Sequence, residues 1–270
     1  MLRSRDTVVE ALAARVWHDR NRAGIMGQGY LGARMSTAVE SLSFTVRPVI
    51  SHGDLVRACR VRALAYGAKS PHLRESMLEP DSVDALPTTT TYLCEDKFSG
   101  QAMGTMRVQV SGPQLSPLSI DGVVPPLREF QTAYRAEITR LAAPVGADPF
   151  VRLALWKAGF MHCRSHHVRL LMLAVRKPAL IKAYTKMGAK DVCGELPIPY
   201  AGNLPHRVMG LFLDDIESEW RMAQHPLLKF MVETAHPDIA QWEPKSMNAG
   251  AAVAAQARVV GILERAGKFV

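Results

Sequence analysis

Residues 168–175, VRLLMLAV, constrain the fold more than any other segment, because they are apolar at all but one position. They lie between two segments with apolar residues at helical spacing, 151–166 and 178–188. A short apolar run between two helices is typical of a strand that is covered on both faces. The sequence therefore predicts a central strand in a sheet that has helices on both sides.

Alternating patterns and turn residues predict the other elements of the sheet. Further strands are expected at 44–50, 88–96, 101–111, 136–144 and 206–215, with a helix at 52–67 and long loops at 68–88 and 112–128. Ser99 and Gly100 predict a hairpin turn between the second and third of these strands. The predicted fold class is α/β, with a mixed, mostly antiparallel central sheet and helices on both faces.

Helical patterns also occur outside this core, at residues 7–19 and in the Ala-rich tail from Ala251. We therefore divide the chain into an N-terminal helical extension (1–43), a central domain (44–213) and a C-terminal helical extension (214–270). The chain has 270 residues, of which 48% are hydrophobic and 21% charged, and this composition excludes a disordered protein.

Positive charge is concentrated in one part of the chain. The formal net charge is +8, and residues 135–190 alone carry eleven Lys and Arg against Glu137 and Asp148. A basic surface favours a phosphate, a carboxylate or an acidic protein as partner. A nucleic-acid-binding protein is the non-enzyme alternative, but no helix-turn-helix, zinc or RNP signature is present, and we expect no nucleic acid partner.

Cysteines and histidines do not indicate a disulfide framework or a metal. The four Cys residues are far apart in sequence, which favours reduced thiols. His162, His166 and His167 lack an acidic or cysteine partner at ligand spacing, so no metal is expected. No apolar run approaches the roughly 20 residues of a membrane span, and charged residues interrupt the first segment, so we expect a cytoplasmic protein without a transmembrane segment.

Three short motifs occur in order along the predicted elements. They are Asp81-x-x-Asp84 before the hairpin, Gly104-Thr-x-Arg107 on its second strand and Glu137-x-Thr139-Arg140-Leu141 on the next strand. Together with the order of elements, they resemble the autoinducer synthase group of the GNAT acyltransferase superfamily, over about residues 44–213. That group includes acyl-homoserine-lactone synthases and N-acyl amino acid synthases.

Two departures from that group narrow the expected activity. The stretch HLRESMLEP before Asp81 has no Trp, which favours the N-acyl amino acid branch over an S-adenosylmethionine acceptor, and Thr139 stands where the group usually has Ser. The loop PVGADPF lacks the glycine pattern that binds the pyrophosphate of coenzyme A. The resemblance thus implies transfer of a long-chain acyl group from the phosphopantetheine of an acyl carrier protein to an amino acid or related amine, with no other cofactor. An acyl-CoA-dependent GNAT enzyme and an acyl-homoserine-lactone synthase are the alternatives.

The chemistry and the resemblance together indicate the reacting residues. The attacking amine must lose a proton, and the oxyanion and the leaving thiolate need donors. Glu137 is the candidate base, Tyr184 the candidate acid, and Arg140 the third candidate catalytic residue. The alternative for Glu137 is an ion pair with Arg107 or Arg140. Glu137 and Arg140 point to opposite faces of a regular strand, and the resemblance implies a β-bulge on this strand, whose N–H groups near Leu141 would serve the oxyanion.

Other residues are expected to bind substrate or partner. The candidate substrate-binding residues are Arg62, Tyr66, Asp81, Asp84, Arg107, Thr139 and Leu141. Arg62 and Tyr66 lie four apart on one helix face, where Arg62 would bind an acceptor's carboxylate. The alternatives are a solvated helix face and a structural network between the arginines and the two Asp residues. Acidic carrier proteins would dock on Arg169, Arg176, Lys177 and Lys182.

Overall fold

The computed structural model describes residues 38–240. Its strands are β1 (Ala38–Val39), β2 (Phe44–Pro48), β3 (Thr89–Asp96), β4 (Ala102–Ser111), β5 (Arg135–Ala142), β6 (Leu170–Val175), β7 (Lys190–Asp191), β8 (Ile198–Tyr200), β9 (Leu204–Phe212) and β10 (Thr234–Ala235). Its α-helices are α1 (His52–Gly67), α2 (Leu73–Ser76), α3 (Pro149–Ser165), α4 (Pro178–Lys186), α5 (Ile216–Met222) and α6 (Pro226–Leu228). Short 3-10 helices (Ser119–Gly122, Arg128–Phe130) and a π-helical turn (Lys229–Glu233) complete the described elements. The predicted helices at 7–19 and from Ala251 lie outside the described residues.

Eight strands form the main sheet, in the order β2-β3-β4-β5-β6-β9-β7, with β8 paired to β9. All neighbours in this sheet are antiparallel except β5 and β6, which are parallel. The strand β6 lies between β5 and β9, and five of its six residues are buried. The mixed, mostly antiparallel sheet and its apolar central strand are therefore confirmed. Among the described residues, no helix is long and apolar enough to cross a membrane.

The helix α3 packs directly against one face of the sheet. Asp148 caps its N-terminus by accepting a hydrogen bond from the Phe150 N–H at 2.9 Å. At Gly159 an added Cβ would lie 2.7 Å from the Cε atom of Met106, a residue of β4. Helix and sheet therefore approach so closely that a side chain at this position would force the packing apart.

The opposite face of the sheet is covered by α1 and by the loops. Ser51 caps α1 by accepting a hydrogen bond from the Asp54 N–H. Beyond α1, the loop that contains the 3-10 helices covers a second apolar cluster, which includes Ile120, Phe130 and Met172. Side chains of β4 point alternately to the two faces of the sheet. Met106 faces α3, whereas Arg107 bonds to Asp81 on the α1 side.

The strand β5 carries the predicted β-bulge. Arg107 pairs with Thr139, whereas Thr105 pairs with Ala142, so β5 has one residue more than β4 between these two pairs. Arg140 lies in this interval with a φ of 55°. An extra residue in a strand changes the direction in which the neighbouring side chains point. The predicted β-bulge is therefore confirmed.

The parallel pair β5 and β6 separates next to this bulge. The two strands pair over three positions, from Arg135 and Leu170 to Glu137 and Met172. Beyond Glu137 the pairing stops, while β6 continues to pair with β9. We call the gap between residues 138–142 of β5 and 173–175 of β6 the split. Glu137 lies at its closed end.

Residues after β9 belong to the same core. Ile216, Trp220 and Phe230 are buried in the cluster that contains α3. The Lys157 ammonium on α3 donates to the carbonyl oxygens of Phe230 at 2.7 Å and Thr234 at 2.5 Å, and it lies 2.8 Å from His236 Nδ1. The sequence predicts a C-terminal extension from residue 214. Residues before and after this boundary share one core.

Candidate active site

The three motifs meet in a buried network of arginines and aspartates. Two nitrogens of Arg62 donate to the Asp84 carboxylate at 2.7 and 2.9 Å. Arg107 donates to Asp81 Oδ1 at 2.6 Å, and Arg140 donates to Asp81 Oδ2 at 2.8 Å. The bulge thus turns Arg140 toward the face that carries Arg107, and the five side chains form one cluster, which we call the Arg–Asp network.

The charges of the Arg–Asp network stabilise one another. Burial raises the pKa of Asp81, but Arg107 and Arg140 outweigh it and bring this pKa down to about 2. Burial likewise opposes ionisation of Asp84, and Arg62 lowers its pKa overall. Three guanidinium groups face two carboxylates, so one positive charge is left over. Among the three arginines, Arg140 is the most exposed, with 27% of its side chain accessible.

Arg62 is occupied within this network. Its side chain is 2% exposed, and it donates to Asp84 and to Thr91 Oγ1. An acceptor's carboxylate would therefore have to displace Asp84 to reach it. Thr139 also has a partner, because its hydroxyl accepts a hydrogen bond from Arg107 Nε at 2.9 Å. Leu141 is half-buried beside the bulge and packs against the core.

Glu137 is completely buried, and its partners are not arginines. Its Oε1 accepts a hydrogen bond from the Tyr200 hydroxyl at 2.6 Å, and its Oε2 accepts one from the Ile120 N–H at 3.1 Å. Burial raises the pKa of Glu137, although these two bonds and the charge of Arg107 oppose the shift. The alternative ion pair of Glu137 with Arg107 or Arg140 does not occur among the described residues. A carboxyl group with a raised pKa is suited to proton transfer near neutral pH.

Two tyrosines belong to helices that cover opposite faces of the sheet next to the split. Tyr66 belongs to α1, whereas Tyr184 belongs to α4 and packs with Trp156 of α3 at a ring distance of 5.4 Å. Burial, with a contribution from Tyr66, raises the pKa of Tyr184 to about 12. Burial also raises the pKa of Tyr66, and the charge of Arg140 is the largest influence that lowers it. Tyr66 is therefore close enough to Arg140 and to Tyr184 for their charges to interact.

Three cations lie together at the open end of the split, which we call the mouth: Lys69, Arg152 and Lys177. Burial lowers the pKa of Lys69, and the neighbouring charges of Lys177 and Arg152 lower it further. Arg152 donates to the Ala143 carbonyl oxygen at 3.0 Å. Lys177 precedes α4 and is exposed. No carboxylate forms an ion pair with any of the three within residues 38–240.

The predicted docking residues fall into two groups. Arg176, Lys177 and Lys182 are exposed and follow β6 at the mouth. Arg169 precedes β6, roughly 20 Å away along the strand, and its side chain bonds to Asp214 at 2.7 Å. Arg164 at that end is paired with Glu217. The structure thus brings three of the four residues together and places Arg169 at the opposite end of β6.

Sequence reasoning missed Tyr200, Lys69 and Arg152. Tyr200 is 63 residues from Glu137 and ends the three-residue strand β8, which has no pattern of its own. The only signal for Lys69 and Arg152 was their positive charge next to helix ends. Groups of three or more His, Cys, Asp or Glu side chains able to hold a metal ion do not occur in the described part of the chain.

The parallel strand pair, the split beyond a β-bulge and the helices on both faces define a GNAT-like acyltransferase fold. The sequence profile of the FeeM N-acyl amino acid synthase family matches residues 57–211. The chain belongs to this family and is an N-acyltransferase.

A solved structure of this family shows the same fold. The structure of FeeM, an N-acyl amino acid synthase from uncultured soil microbes, matches with a TM-score of 0.54 and 18% identity, over 67% of this chain and 97% of that chain. A putative N-acetyltransferase from Lactobacillus plantarum matches with a TM-score of 0.45 and 10% identity, over 64% of this chain and 99% of that chain. No curated protein sequence matches this chain significantly.

Proposed function

We propose that this N-acyltransferase moves a long-chain fatty acyl group from an acyl carrier protein to the amine of an amino acid, giving an N-acyl amino acid. The observation that carries the proposal is the split between β5 and β6, which begins beyond Glu137 and has Arg140 in the bulge at its edge. A split between parallel strands gives a thioester access to the centre of the sheet. Arg140 attracts an anion there, and the charge interactions of Tyr66 with Arg140 and of Tyr184 with Tyr66 indicate two hydroxyl groups nearby.

An amino acid suits the charge of the Arg–Asp network. The network has one positive charge in excess, and Arg140 is its most accessible cation. An acceptor with a carboxylate would balance this charge, and a guanidinium binds a carboxylate through paired hydrogen bonds. A simple amine without a carboxylate would bring a second positive charge to the same place, which is unfavourable.

The acyl transfer itself follows the ordinary chemistry of thioesters. The ammonium of the acceptor loses a proton to Glu137, and the amine then attacks the thioester carbonyl carbon. Backbone N–H groups at the bulge, next to Leu141, stabilise the oxyanion. The C–S bond breaks as the C–N bond is completed, and Tyr184 protonates the leaving thiolate. Burial keeps the Tyr184 hydroxyl protonated at neutral pH, as an acid requires.

A carrier-protein donor is favoured by the start of α3. In a coenzyme A enzyme this helix N-terminus would bind a pyrophosphate. Here Asp148 caps the helix and accepts the Phe150 N–H, so a carboxylate occupies the place of an anionic ligand. Arg176, Lys177 and Lys182, which have no ion pair within the described residues, are exposed at the mouth instead. Exposed cations around the entrance suit an acidic protein that delivers its acyl group on a phosphopantetheine arm.

Acyl transfer with purified components tests this function. The protein is mixed with long-chain acyl carrier protein and each of the common amino acids, and products are identified by mass spectrometry. We expect an N-acyl amino acid with at least one acceptor, and a Glu137→Gln variant that is folded but at least 100-fold slower. The absence of transfer to every amino acid by folded protein would refute the proposal.

Alternative donors and acceptors are separated in the same assay. Transfer from acyl-CoA at equal or greater efficiency would identify a coenzyme A enzyme. Transfer to S-adenosylmethionine, with release of an acyl-homoserine lactone, would identify an autoinducer synthase. Lipids extracted from cells that express the protein give an independent view, because an N-acyl product identifies the acyl chain and the acceptor together.

A further inference from the structure

Glu137 does not reach the surface by itself. Its side chain has no exposed area, and both carboxylate oxygens are hydrogen-bonded within the protein. A base must come within hydrogen-bond distance of the proton that it accepts, directly or through one intervening group. The Ile120 N–H on one side of Glu137 is a fixed donor that passes no proton on. The Tyr200 hydroxyl on the other side is able to give one proton and accept another.

The position of Tyr200 makes it such an intervening group. In the register of β8 and β9, Tyr200 pairs with Leu204, which lies beyond Arg207, the partner of the last residue of β6. Its hydroxyl nevertheless lies 2.6 Å from Glu137, near the closed end of the split. The β8–β9 hairpin therefore folds back over the face of the sheet that carries Glu137.

Tyr200 also lies on the side where an acceptor would bind. Glu137 and Thr139 are two residues apart on β5 and face the same side, and Thr139 bonds to Arg107 of the Arg–Asp network. The Tyr200 ring is half-buried, with an edge-to-face contact to His206 at 5.8 Å. Tyr200 is therefore the more accessible member of the pair, since Glu137 is completely buried.

We propose that Tyr200 relays the proton of the acceptor amine to Glu137. This inference rests on the proposed amine acyl transfer. In the relay, the ammonium N–H gives its proton to the Tyr200 oxygen while the Tyr200 hydroxyl proton passes to the Glu137 carboxylate. The products of the step are a neutral amine and a protonated Glu137, and Tyr200 ends as it began, so no charge is left on the phenol.

The groups around this pair are consistent with a reversible proton transfer. Arg107 on β4 is a positive charge near the pair, whereas Asp121 on the 3-10 helix is a negative one, and Asp121 is paired with Arg135 at 2.6 Å. Burial and the nearby carboxylate raise the pKa of Tyr200, which keeps its hydroxyl protonated at rest. Tyr200 also has a hydrogen bond with the Ser119 side chain, which opposes the rise of its pKa. A phenol oxygen has two lone pairs, so a tyrosine that donates to Glu137 and contacts Ser119 is still able to accept the amine proton.

A Tyr200→Phe variant tests the relay, because it keeps the ring and removes only the hydroxyl. We expect kcat to fall about 100-fold while KM for the amino acid changes less than threefold. We also expect the acidic limb of the kcat/KM profile to move to higher pH by about one unit, since a Glu137 that lacks one hydrogen bond holds its proton more tightly. Activity is measured with acyl carrier protein and with a small acyl thioester, so that a wrong donor does not obscure the result.

Tyr92→Phe is the matched control. The Tyr92 hydroxyl is also buried and bonded, to His162 at 3.0 Å, but it lies on the α3 side of the sheet. This variant loses stability in the same way without loss of kcat or a shifted pH limb. Equal kinetics for Tyr200→Phe and Tyr92→Phe would overturn the relay.

Infrared spectroscopy tests the pair without any substrate. The carbonyl stretch of protonated Glu137, identified by its loss in Glu137→Gln, is followed against pH in the wild type and in Tyr200→Phe. A midpoint that rises in Tyr200→Phe supports the coupling, and an unchanged midpoint overturns it. Failure of acyl transfer in the wild type refutes the proposed function instead, and this outcome is recognisable because the infrared midpoint does not depend on it.

Discussion

The arginines of the Arg–Asp network and the cations at the mouth of the split differ in how their charge is compensated. Arg62 and Arg107 are almost fully buried, and each is bonded to an aspartate of the 81–84 loop. Lys177 and Arg176 are exposed and have no acidic partner among residues 38–240. A buried charge must be paired, because an unpaired one is very costly, whereas an exposed charge needs no partner. The first group therefore contributes to the integrity of the fold, and the second is free to attract another molecule.

We expect the largest loss of stability from a substitution that breaks the Arg–Asp network. Asp84→Asn leaves Arg62 as a charge without its partner, and we expect the free energy of unfolding to fall by about 3–5 kcal/mol. Urea unfolding followed by circular dichroism measures the change. A loss below about 1 kcal/mol would show that the buried and exposed cations do not differ as described.

We expect a smaller effect, on the use of acyl carrier protein, when the charge of the exposed cations at the mouth is reversed. The double variant Arg176→Glu and Lys177→Glu should raise KM for acyl carrier protein about tenfold, through a slower association, and leave transfer from a small acyl thioester unchanged. Steady-state kinetics with both donors measure this difference. Reversal of Arg164 and Arg169, which already have acidic partners, is the matched control and should change neither. Equal losses with both donors in the mouth variant would exclude docking there.

The stabilising contribution of the Arg–Asp network should decrease in a defined range of acidic pH. The pKa of Asp81 is lowered from 3.8 to about 2, so its stabilising contribution is complete above about pH 4 and is lost as the pH falls through about 2. Because Asp81 is one-third exposed, solvent screening limits this contribution to the order of 1 kcal/mol. Asp81→Asn should therefore show a smaller loss of stability between pH 4 and 2 than the wild type does. A Lys177→Met variant should follow the wild type in this range, and equal slopes for Asp81→Asn and the wild type would contradict the prediction.

The smallest effect is expected for an exposed ion pair. Arg169 and Asp214 are each about half exposed, so Asp214→Asn should change stability by less than about 1 kcal/mol. Thermal unfolding at low and moderate salt measures it. A loss comparable to that of Asp84→Asn would mean that exposure does not separate the two groups.

Local patterns in the sequence were sufficient for most of the sheet. The apolar run of β6 and the turn at Ser99 and Gly100 act over a few residues, so the central strand and the hairpin could be predicted. The bulge at Arg140 was predicted from the resemblance to the GNAT superfamily, together with the positions of Glu137 and Arg140 on opposite faces of a regular strand.

Contacts between distant segments could not be predicted in the same way. Tyr200 is the last residue of a short strand that contains Pro199, and nothing near it in sequence indicates its bond to Glu137. Arg62 was expected to bind an acceptor, but the structure commits its guanidinium to Asp84, 22 residues away. The roles assigned to the predicted site residues stay predictions, while their positions relative to the split are now defined.

The contacts of Lys157 have a consequence for how far this fold can be shortened. Its ammonium is hydrogen-bonded to Phe230, Thr234 and His236. All three lie after residue 211, the last one that the family profile matches. A chain trimmed to residues 57–211 would keep this buried lysine and lose every one of these acceptors, together with the strand β2 and the aromatic side chain of Trp220. We therefore expect a chain limited to residues 57–211, the segment that the family profile matches, not to fold alone. Autonomous folding then requires the additional residues that close the core around Lys157.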